Sequence, residues 1–246
     1  MHAIKIVKNL GPIDARLVRR DSLLPWMAGL PILVALAARS ILPIVLARVG
    51  ALVQFDLLAL YPVIMSYALL ALTPIICGQV IGFLLLDQRD DGTLTALQVT
   101  PLPLTSYLAY RLAAPMAVSL AMTLAAFPIA GLVEIGILQL LLAALAAAPL
   151  APLFALALVW FAANKVQGFA LMKASSILLI APAIAYFIRS GWQLAFGLVP
   201  TYWPAKLYWA LLNGEPGAWI YLLAGLVYQA LLLLALLRRF DRVLHQ

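Results

Sequence analysis

The densest run of polar side chains in this sequence is Asp87-Gln88-Arg89-Asp90-Asp91-Gly92-Thr93. Its three carboxylates have DxxDD spacing, and Mg²⁺ uses carboxylate oxygens when it bridges a protein to the phosphate groups of a substrate. The same alternation of negative and positive charges could instead hold a protein partner. Because apolar segments border the run on both sides, either activity would take place beside a hydrophobic part of the fold.

The residues after this acidic run predict a short amphipathic helix. Leu94 and Leu97 would form its apolar face, and Pro101 would end it. Asp90 or Asp91 would complement the partial positive charge at its N-terminus. A short helix held at the membrane surface can dock into a groove of a cytoplasmic protein and convert that protein's motion into movement of the attached helices.

The apolar stretch before the acidic run contains the polar residues Ser66, Thr73 and Gln79. These side chains could line a substrate path through a membrane, although most polar residues in apolar helices hydrogen-bond locally or to a neighbouring helix. Gly78 and Gly82 have the GxxxG spacing that permits close contact between two helices. The same spacing also arises by chance in apolar runs that contain glycine.

A second conspicuous stretch, residues 198–209, combines aromatic residues with prolines. Its Trp and Tyr side chains suit the boundary between a bilayer and water. Pro200 and Pro204 exclude a simple spanning helix in this stretch. The residue pattern leaves open whether this is an ordinary belt of interfacial aromatic residues or an element that closes a path.

The composition of the chain predicts the elements that position these residues. Hydrophobic residues make up 66% of the 246 residues and charged residues 10%, against about 45–50% and about 25% in soluble domains. A bilayer crossing needs about 20 apolar residues, and the runs here lack the alternation of lipid-facing strands. The fold is therefore predicted to be all-α, a polytopic integral membrane protein with about six transmembrane helices, at residues 23–47, 57–86, 106–132, 136–163, 169–188 and 217–237.

The basic residues predict the orientation of the spans. With the N-terminus in the cytoplasm, twelve of the sixteen Lys and Arg residues fall on the cytoplasmic side, which is the asymmetry expected of a membrane protein. Both termini are therefore predicted to be cytoplasmic, and nucleic-acid binding is not expected from the net charge of +7. The twelve are Lys5, Lys8, Arg16, Arg19, Arg20, Arg89, Arg111, Lys165, Lys173, Arg238, Arg239 and Arg242.

Three segments are predicted along the chain. Residues 1–22 read as an amphipathic helix at the cytoplasmic membrane surface, broken at Gly11-Pro12, with a solvated tail as the alternative. Residues 23–237 form a single transmembrane domain, and residues 238–246 form a basic cytoplasmic tail. Two parts of the transmembrane domain lie outside the spans, namely the loop 87–105 and the outer region 189–216.

The segment GFLLLDQRDDGTLTALQVTPLPLTSYLAYRL, residues 82–112, resembles the coupling segment of type-2 ABC exporter permeases. In that family an acidic-basic-acidic run leads to Gly-Thr, a short apolar helix and Thr-Pro. Asp87 to Asp91, Gly92-Thr93, Leu94 to Leu97 and Thr100-Pro101 match these parts in order. Together with LGPIDARLVRRD, residues 10–21, the segment is most similar to the antibiotic-export branch, which includes fluoroquinolone-export permeases.

The resemblance implies a permease subunit in the plasma membrane of a bacterium or archaeon that exports a hydrophobic or amphipathic substrate. It also implies a dimer of this chain, or a pairing with a related permease, above cytoplasmic ABC ATPase subunits that bind Mg-ATP. The chain has no GxxxxGK[ST] sequence, so no cofactor is expected in it. Tyr202, Trp203 and Pro204 correspond to the outer gate. The implied coupling residues are Asp87, Arg89, Asp90, Asp91, Gly92, Thr93, Leu94, Leu97, Thr100 and Pro101.

Two other classes of protein compete with this interpretation. An ion-coupled secondary transporter or channel usually places ionisable residues near the middle of the bilayer, whereas the charges here flank the spans. An Asp-rich membrane transferase would use Asp87, Asp90 and Asp91 for Mg²⁺, as membrane prenyltransferases do. Those enzymes need a second Asp-rich motif, which this sequence lacks.

Overall fold

A computed structural model of the chain describes residues 2–54, 56–92, 104–188 and 190–244. These residues contain no β-strand, and the predicted all-α fold is confirmed. Two 3₁₀ segments and one π-helical segment interrupt the α-helices, at Leu57–Leu60, Gly191–Leu198 and Ser66–Ala71. The α-helices are α1 (His2–Arg20), α2 (Leu24–Val53), α3 (Tyr61–Met65), α4 (Leu72–Asp90), α5 (Leu104–Ala130), α6 (Ile137–Ala147), α7 (Leu150–Phe161), α8 (Lys165–Ser175), α9 (Ile177–Phe187), α10 (Tyr202–Leu212) and α11 (Ala218–Leu244).

Six stretches of helix are long and apolar enough to cross a membrane, as the sequence predicts. The chain is therefore a multi-pass membrane protein. In chain order, the first to sixth spans are Leu24–Val53, Leu57–Asp90, Ala109–Ala130, Ile137–Phe161, Lys165–Phe187 and Ala218–Arg238.

Three span boundaries differ from the prediction by four residues or more. The second span ends at Asp90 and not at residue 86, and the other two boundaries are set by caps. The first span continues to Val53, where Gln54 ends the helix in a left-handed conformation with φ of 53° and donates its N–H to Gly50 O. The fifth span begins earlier than predicted, at Lys165, because the Asn164 side chain caps the helix by accepting a hydrogen bond from the backbone N–H of Gln167. In both cases a local cap sets the boundary, not the limit of the apolar run.

The N-terminal segment is a single helix, α1, so the predicted break at Gly11-Pro12 is wrong. Pro12 removes one backbone N–H from the helix, a loss that usually kinks or breaks a helix interior. Contacts of α1 with the first, second and third spans hold it in helical form despite that loss.

The second and fourth spans form the centre of the bundle, and the other four lie around them with apolar faces exposed. Gly78 and Gly82 are the reason that these two spans approach so closely. A Cβ atom at Gly78 would collide with the backbone oxygen of Ala151, and one at Gly82 would lie 2.9 Å from Leu158 Cδ2. The GxxxG spacing therefore marks a real contact between helices in this chain.

Candidate functional site

The five predicted coupling residues that the structure describes lie where the second span ends. This end of the bundle also holds α1 and is called the α1 end below. The helix α4 ends at Asp90, and Gly92 adopts a left-handed φ of 67° that suits glycine at a helix terminus. Its backbone N–H donates to Arg89 O at 3.0 Å. Five further predicted coupling residues lie outside the described residues, namely Thr93, Leu94, Leu97, Thr100 and Pro101.

Asp87 is partly exposed and pairs with a lysine of its own chain. Lys165 Nζ, at the start of the fifth span, lies 3.0 Å from Asp87 Oδ2 and 2.8 Å from Asp21 Oδ2. The lysine therefore joins the second span, the fifth span and the turn between α1 and the first span. This pairing also leaves the predicted carboxylate cluster dispersed, and the described residues hold no group of three His, Cys, Asp or Glu suited to a metal ion.

Asp21 also starts the first span. Its Oδ1 accepts hydrogen bonds from the backbone N–H of Leu23 at 2.7 Å and of Leu24 at 3.0 Å. Burial of Asp21 opposes its ionisation, but hydrogen bonds from Lys165 and from these two N–H groups outweigh burial and lower the pKa of Asp21. The carboxylate is therefore held in its charged form, which the pairing with Lys165 requires.

Arg89 also bonds within its own chain, and it closes the end of the fourth span. Its guanidinium donates to three backbone carbonyl oxygens in and just after the last turn of α7, those of Val159 at 3.1 Å, Ala162 at 3.0 Å and Ala163 at 2.8 Å. Helix C-termini carry carbonyl groups without intrahelical partners, and a cation there is favourable. Arg89 therefore fastens the tip of the second span to the turn between the fourth and fifth spans.

Among the described members of the predicted set, Asp90, Asp91 and Gly92 face solvent. Asp90 has a loose contact of 3.6 Å with Arg89, and 43% of its side chain is exposed. The described part of the predicted site thus divides into a pair, Asp87 and Arg89, which holds the spans together, and an exposed tip of two carboxylates and a glycine.

Sequence reasoning missed the most deeply buried charges at the α1 end. Arg111 on α5 and Asp14 on α1 form an ion pair of 2.7 Å, with 4% and 9% of their side chains exposed. Tyr110 Oη donates a second hydrogen bond to the same Asp14 oxygen at 2.8 Å. The pair joins residues 97 positions apart, so the only signal in the sequence was the presence of one acid in a basic helix and of one arginine inside a span.

The Arg111 guanidinium extends this network to the second span. It donates to Gln88 Oε1 at 2.9 Å and, through Nε, to Tyr107 Oη at 3.0 Å. Tyr107 Oη in turn donates to Gln88 Oε1 at 3.1 Å. Gln88 lies between Asp87 and Arg89 in the sequence, so three consecutive residues of α4 attach the second span to three different neighbours.

Gln79 lies deeper in the second span, between two apolar cavities of about 300 and about 220 Å³. Its Nε2 donates to Ser175 Oγ of the fifth span at 3.0 Å, and this hydroxyl donates to Met172 O at 2.7 Å. The larger cavity lies among the second, fourth and fifth spans, and the smaller one lies among the first, second and fifth. Gln79 and Ser175 therefore form a polar pair shared by the two cavities, and the smaller cavity is also lined by Lys173 and Ser176.

Ser66 and Thr73 occupy different surroundings. Both are buried, Ser66 in the π-helical segment and Thr73 at the start of α4. Ser66 Oγ accepts a hydrogen bond from Trp209 Nε1 of α10 at 3.1 Å and donates to Val63 O at 2.8 Å. Thr73 Oγ1 has no hydrogen-bond partner among the described residues. The structure thus brings Ser66 to the predicted gate region and Gln79 to the cavities.

The residues predicted for an outer gate lie at the start of α10, in the half of the bundle away from the α1 end. Trp203 packs directly against two glycines. A Cβ built at Gly197 would lie 2.8 Å from the Trp203 ring, and one built at Gly225 would lie 2.8 Å from Trp203 Cβ. Its Nε1 donates to Gly197 O at 2.9 Å. Tyr202 and Pro204 are buried beside it, so the three residues pack inside the bundle.

Comparison with known proteins identifies the family of this chain. The family model described as Fluoroquinolones export permease protein Rv2686c-like matches residues 14–237. Two relatives, the fluoroquinolones export permease protein MT2760 of Mycobacterium tuberculosis strain CDC 1551 / Oshkosh and its counterpart Rv2686c of strain ATCC 25618 / H37Rv, are each 35% identical over 232 residues. The match covers 94% of this chain and 92% of each relative. No solved structure matches the chain. The chain therefore belongs to the Rv2686c-like family of fluoroquinolones export permeases.

Proposed function

We propose that this chain is the membrane permease subunit of an ABC exporter that moves a hydrophobic or amphipathic drug of the fluoroquinolone type out of the cell. Membership of the export permease family supports this function. The observation that carries it is the construction of the α1 end. Asp90, Asp91 and Gly92 project to solvent from a span whose preceding residues are attached to α1 and to the third, fourth and fifth spans. A partner that moved this tip would move all of these elements.

Energy for export would come from a separate ATPase subunit that binds Mg-ATP, because this chain lacks a P-loop sequence. The ATPase would dock on the segment 87–101, with Asp90, Asp91, Gly92 and the apolar Leu94 and Leu97 as its contacts. Two copies of this chain, or this chain and a related permease, would form the complex. The α1 end and both termini would then lie in the cytoplasm of a bacterium or archaeon.

The substrate path would run beside Gln79. Small-molecule sites in proteins are mostly apolar with a few placed polar groups, and they occupy about 300–1,000 Å³. The larger cavity, at about 300 Å³, matches the lower end of that range, and Gln79 and Ser175 supply the polar groups. A mainly aromatic drug with a carbonyl or carboxylate group fits this chemistry. Tyr202, Trp203 and Pro204 would close the path at the outer end.

Charge reversal at the exposed tip tests the docking of the ATPase. When the tagged permease is purified from its native membrane, we expect an ATPase with a P-loop to co-purify. In the Asp90→Lys/Asp91→Lys variant its recovery should fall at least tenfold, because like charges placed across an interface cost several kcal/mol. Drug export by the same cells should fall with it. Mass spectrometry of the purified complex and an ATP hydrolysis assay measure both quantities.

Glu134→Lys provides the matched control, because Glu134 is also an exposed acid but lies at the opposite end of the bundle. This variant should retain the ATPase. Retention of the ATPase by the Asp90/Asp91 variant at normal expression would show that the tip is not the docking site. A wild-type permease that purifies without any ATPase would favour an ion-coupled secondary transporter.

The Gln79→Leu substitution tests the substrate path. The change removes the polar group between the two cavities and its hydrogen bond to Ser175, so export should fall by about five- to tenfold, the factor supplied by a hydrogen bond of typical strength. Recovery of the ATPase should not change, because Gln79 lies far along the span from the tip. Drug accumulation in whole cells measures export.

Thr73→Val is the control, because Thr73 Oγ1 makes no hydrogen bond among the described residues. An equal loss of export in that variant would contradict a path at Gln79.

A further inference from the structure

The fifth span is divided at its midpoint, and its two halves are attached to different parts of the protein. The half at the α1 end is α8, and the half at the opposite end is α9. Ser176 separates them, and the backbone there makes tight turns of the 3₁₀ type. Ser176 N donates to Lys173 O at 3.2 Å, and Leu179 N donates to Ser176 O at 3.1 Å. A 3₁₀ turn in the middle of a helix often marks a hinge.

The α8 half is attached to the second span along its whole length. At one end Lys165 pairs with Asp87. In the middle Gly168 lies against Phe83, because a Cβ there would be 2.8 Å from the ring, and the ring of Phe83 lies 4.6 Å from that of Phe169 between centroids. At the far end Gln79 donates its hydrogen bond to Ser175. Any displacement of the second span at the α1 end is therefore transmitted to α8.

The α9 half is attached to the gate region. Thr201 Oγ1, one residue before α10, donates to Leu178 O at 2.6 Å. Gln193 Nε2 of the Gly191–Leu198 segment donates to Ala185 O at 2.8 Å. Tyr186 packs edge-on against Trp209 of α10, with ring centroids 5.0 Å apart. The contacts of α9 thus join it, along its length, to α10 and to the Gly191–Leu198 segment that precedes it.

The sequence of α9 explains why Thr201 has a free acceptor to bind. In a regular helix the carbonyl of Leu178 would accept a hydrogen bond from the N–H of residue 182. Residue 182 is proline, which has no N–H, so that carbonyl is left without its intrahelical donor. An unpaired buried carbonyl costs about 1–3 kcal/mol, and the Thr201 hydroxyl removes that cost.

We infer that Ser175 and Ser176 form a hinge of the fifth span and that Thr201 is the positioning residue that fixes the outer half of the span to the gate region. Movement delivered to the second span would swing α8 about this hinge, and α9 would carry the change to the gate. The hinge lies level with Gln79, so bending would also reshape the two cavities. The role of the hinge in gating rests on the proposed export function, whereas the break in the fifth span is observed independently of that function.

The Thr201→Val substitution tests this inference. It keeps the shape of the side chain but removes the hydroxyl that occupies the Leu178 carbonyl. We expect the conformer seen here to lose about tenfold in population relative to bent conformers. Drug export should fall by a similar factor, while co-purification and ATP hydrolysis of the partner ATPase are retained. Thr201→Ser keeps the hydroxyl and should restore export.

A distance measurement tests the hinge without reference to transport. In a Cys77→Ser background, which removes the single cysteine, spin labels at Val166→Cys and Ile184→Cys report the bend, because both positions are exposed on the fifth span. Labels at Ile220→Cys and Arg238→Cys are the matched control. They are also 18 residues apart and exposed, but on the uninterrupted helix α11. Pulsed electron paramagnetic resonance in lipid nanodiscs gives both distributions.

The Thr201→Val change should broaden the distance distribution of the fifth-span pair and leave the α11 pair unchanged. With the ATPase bound, addition of ATP should shift the fifth-span pair alone. A normally folded Thr201→Val protein with an unchanged fifth-span distribution would overturn the hinge. If no ATPase binds and no drug is exported, the proposed function fails, but the effect of Thr201→Val on the distance would still establish the hinge.

Discussion

Replacement of Gly78 by alanine is expected to lower the free energy of unfolding by about 3 kcal/mol or more and to reduce the yield of folded protein sharply. The added methyl group would meet the backbone oxygen of Ala151, which cannot rotate away as a side chain can. Overpacking usually costs about 1–3 kcal/mol, and a collision with backbone at the centre of the bundle belongs at or above the top of that range. The second and fourth spans would have to separate to admit the group.

Gly29→Ala is the matched control for this prediction. Gly29 also lies inside a spanning helix, but no atom lies within 4 Å of a Cβ built there. Alanine is favoured over glycine in a helix by about 0.5–1 kcal/mol, so this change should be neutral or slightly stabilising. The midpoints of thermal unfolding of the two purified variants give the comparison. Equal midpoints would mean that the second and fourth spans do not pack as closely as described here.

The second large effect concerns the buried ion pair at the α1 end. Arg111→Met should lower the free energy of unfolding by about 3–5 kcal/mol, because it leaves the carboxylate of Asp14 buried without its cation. Asp14→Leu should lower the free energy of unfolding by a similar amount, because it leaves the Arg111 guanidinium buried without its carboxylate. Arg111→Met also removes a hydrogen-bond donor from Tyr107 and Gln88, whereas Asp14→Leu removes the acceptor of Tyr110.

The double variant Asp14→Leu/Arg111→Met distinguishes a strong pairing from two independent losses. Replacement of a whole buried pair by apolar residues of similar volume is often neutral or stabilising. The double variant should therefore recover most of the stability, so the coupling energy in the cycle should approach the sum of the two single losses, about 5 kcal/mol or more. Losses that simply add would show that the two charges do not depend on one another. Chemical unfolding of the four proteins in the same detergent supplies the cycle.

The membrane fold could be predicted from the sequence because it depends on composition along the chain. Each spanning helix satisfies its own backbone and meets lipid with its own side chains, so its position follows from a local run of apolar residues. The boundaries at Val53 and Lys165 were less well predicted. They depend on single capping residues, Gln54 and Asn164, whose effect on a helix end is independent of hydropathy.

The candidate site was only partly predictable for a related reason. Charges next to a span end are equally able to face a partner or a neighbouring helix, and the sequence alone could not separate Asp87 and Arg89 from Asp90 and Asp91. Helix packing decides this, because it brings Lys165 to 3.0 Å from Asp87 and the end of α7 to Arg89.

The sequence by itself determined that this chain is a helical membrane protein with an exposed polar segment after its second span, since apolar runs and charge clusters are local properties. Only the tertiary structure decided that Gly78 admits the fourth span, that Asp14 neutralises Arg111 and that Thr201 occupies the carbonyl left open by Pro182. Each of these contacts joins residues more than twenty positions apart. Their partners are selected by how six helices fit together around a common core, and that fit is a property of all the spans at once.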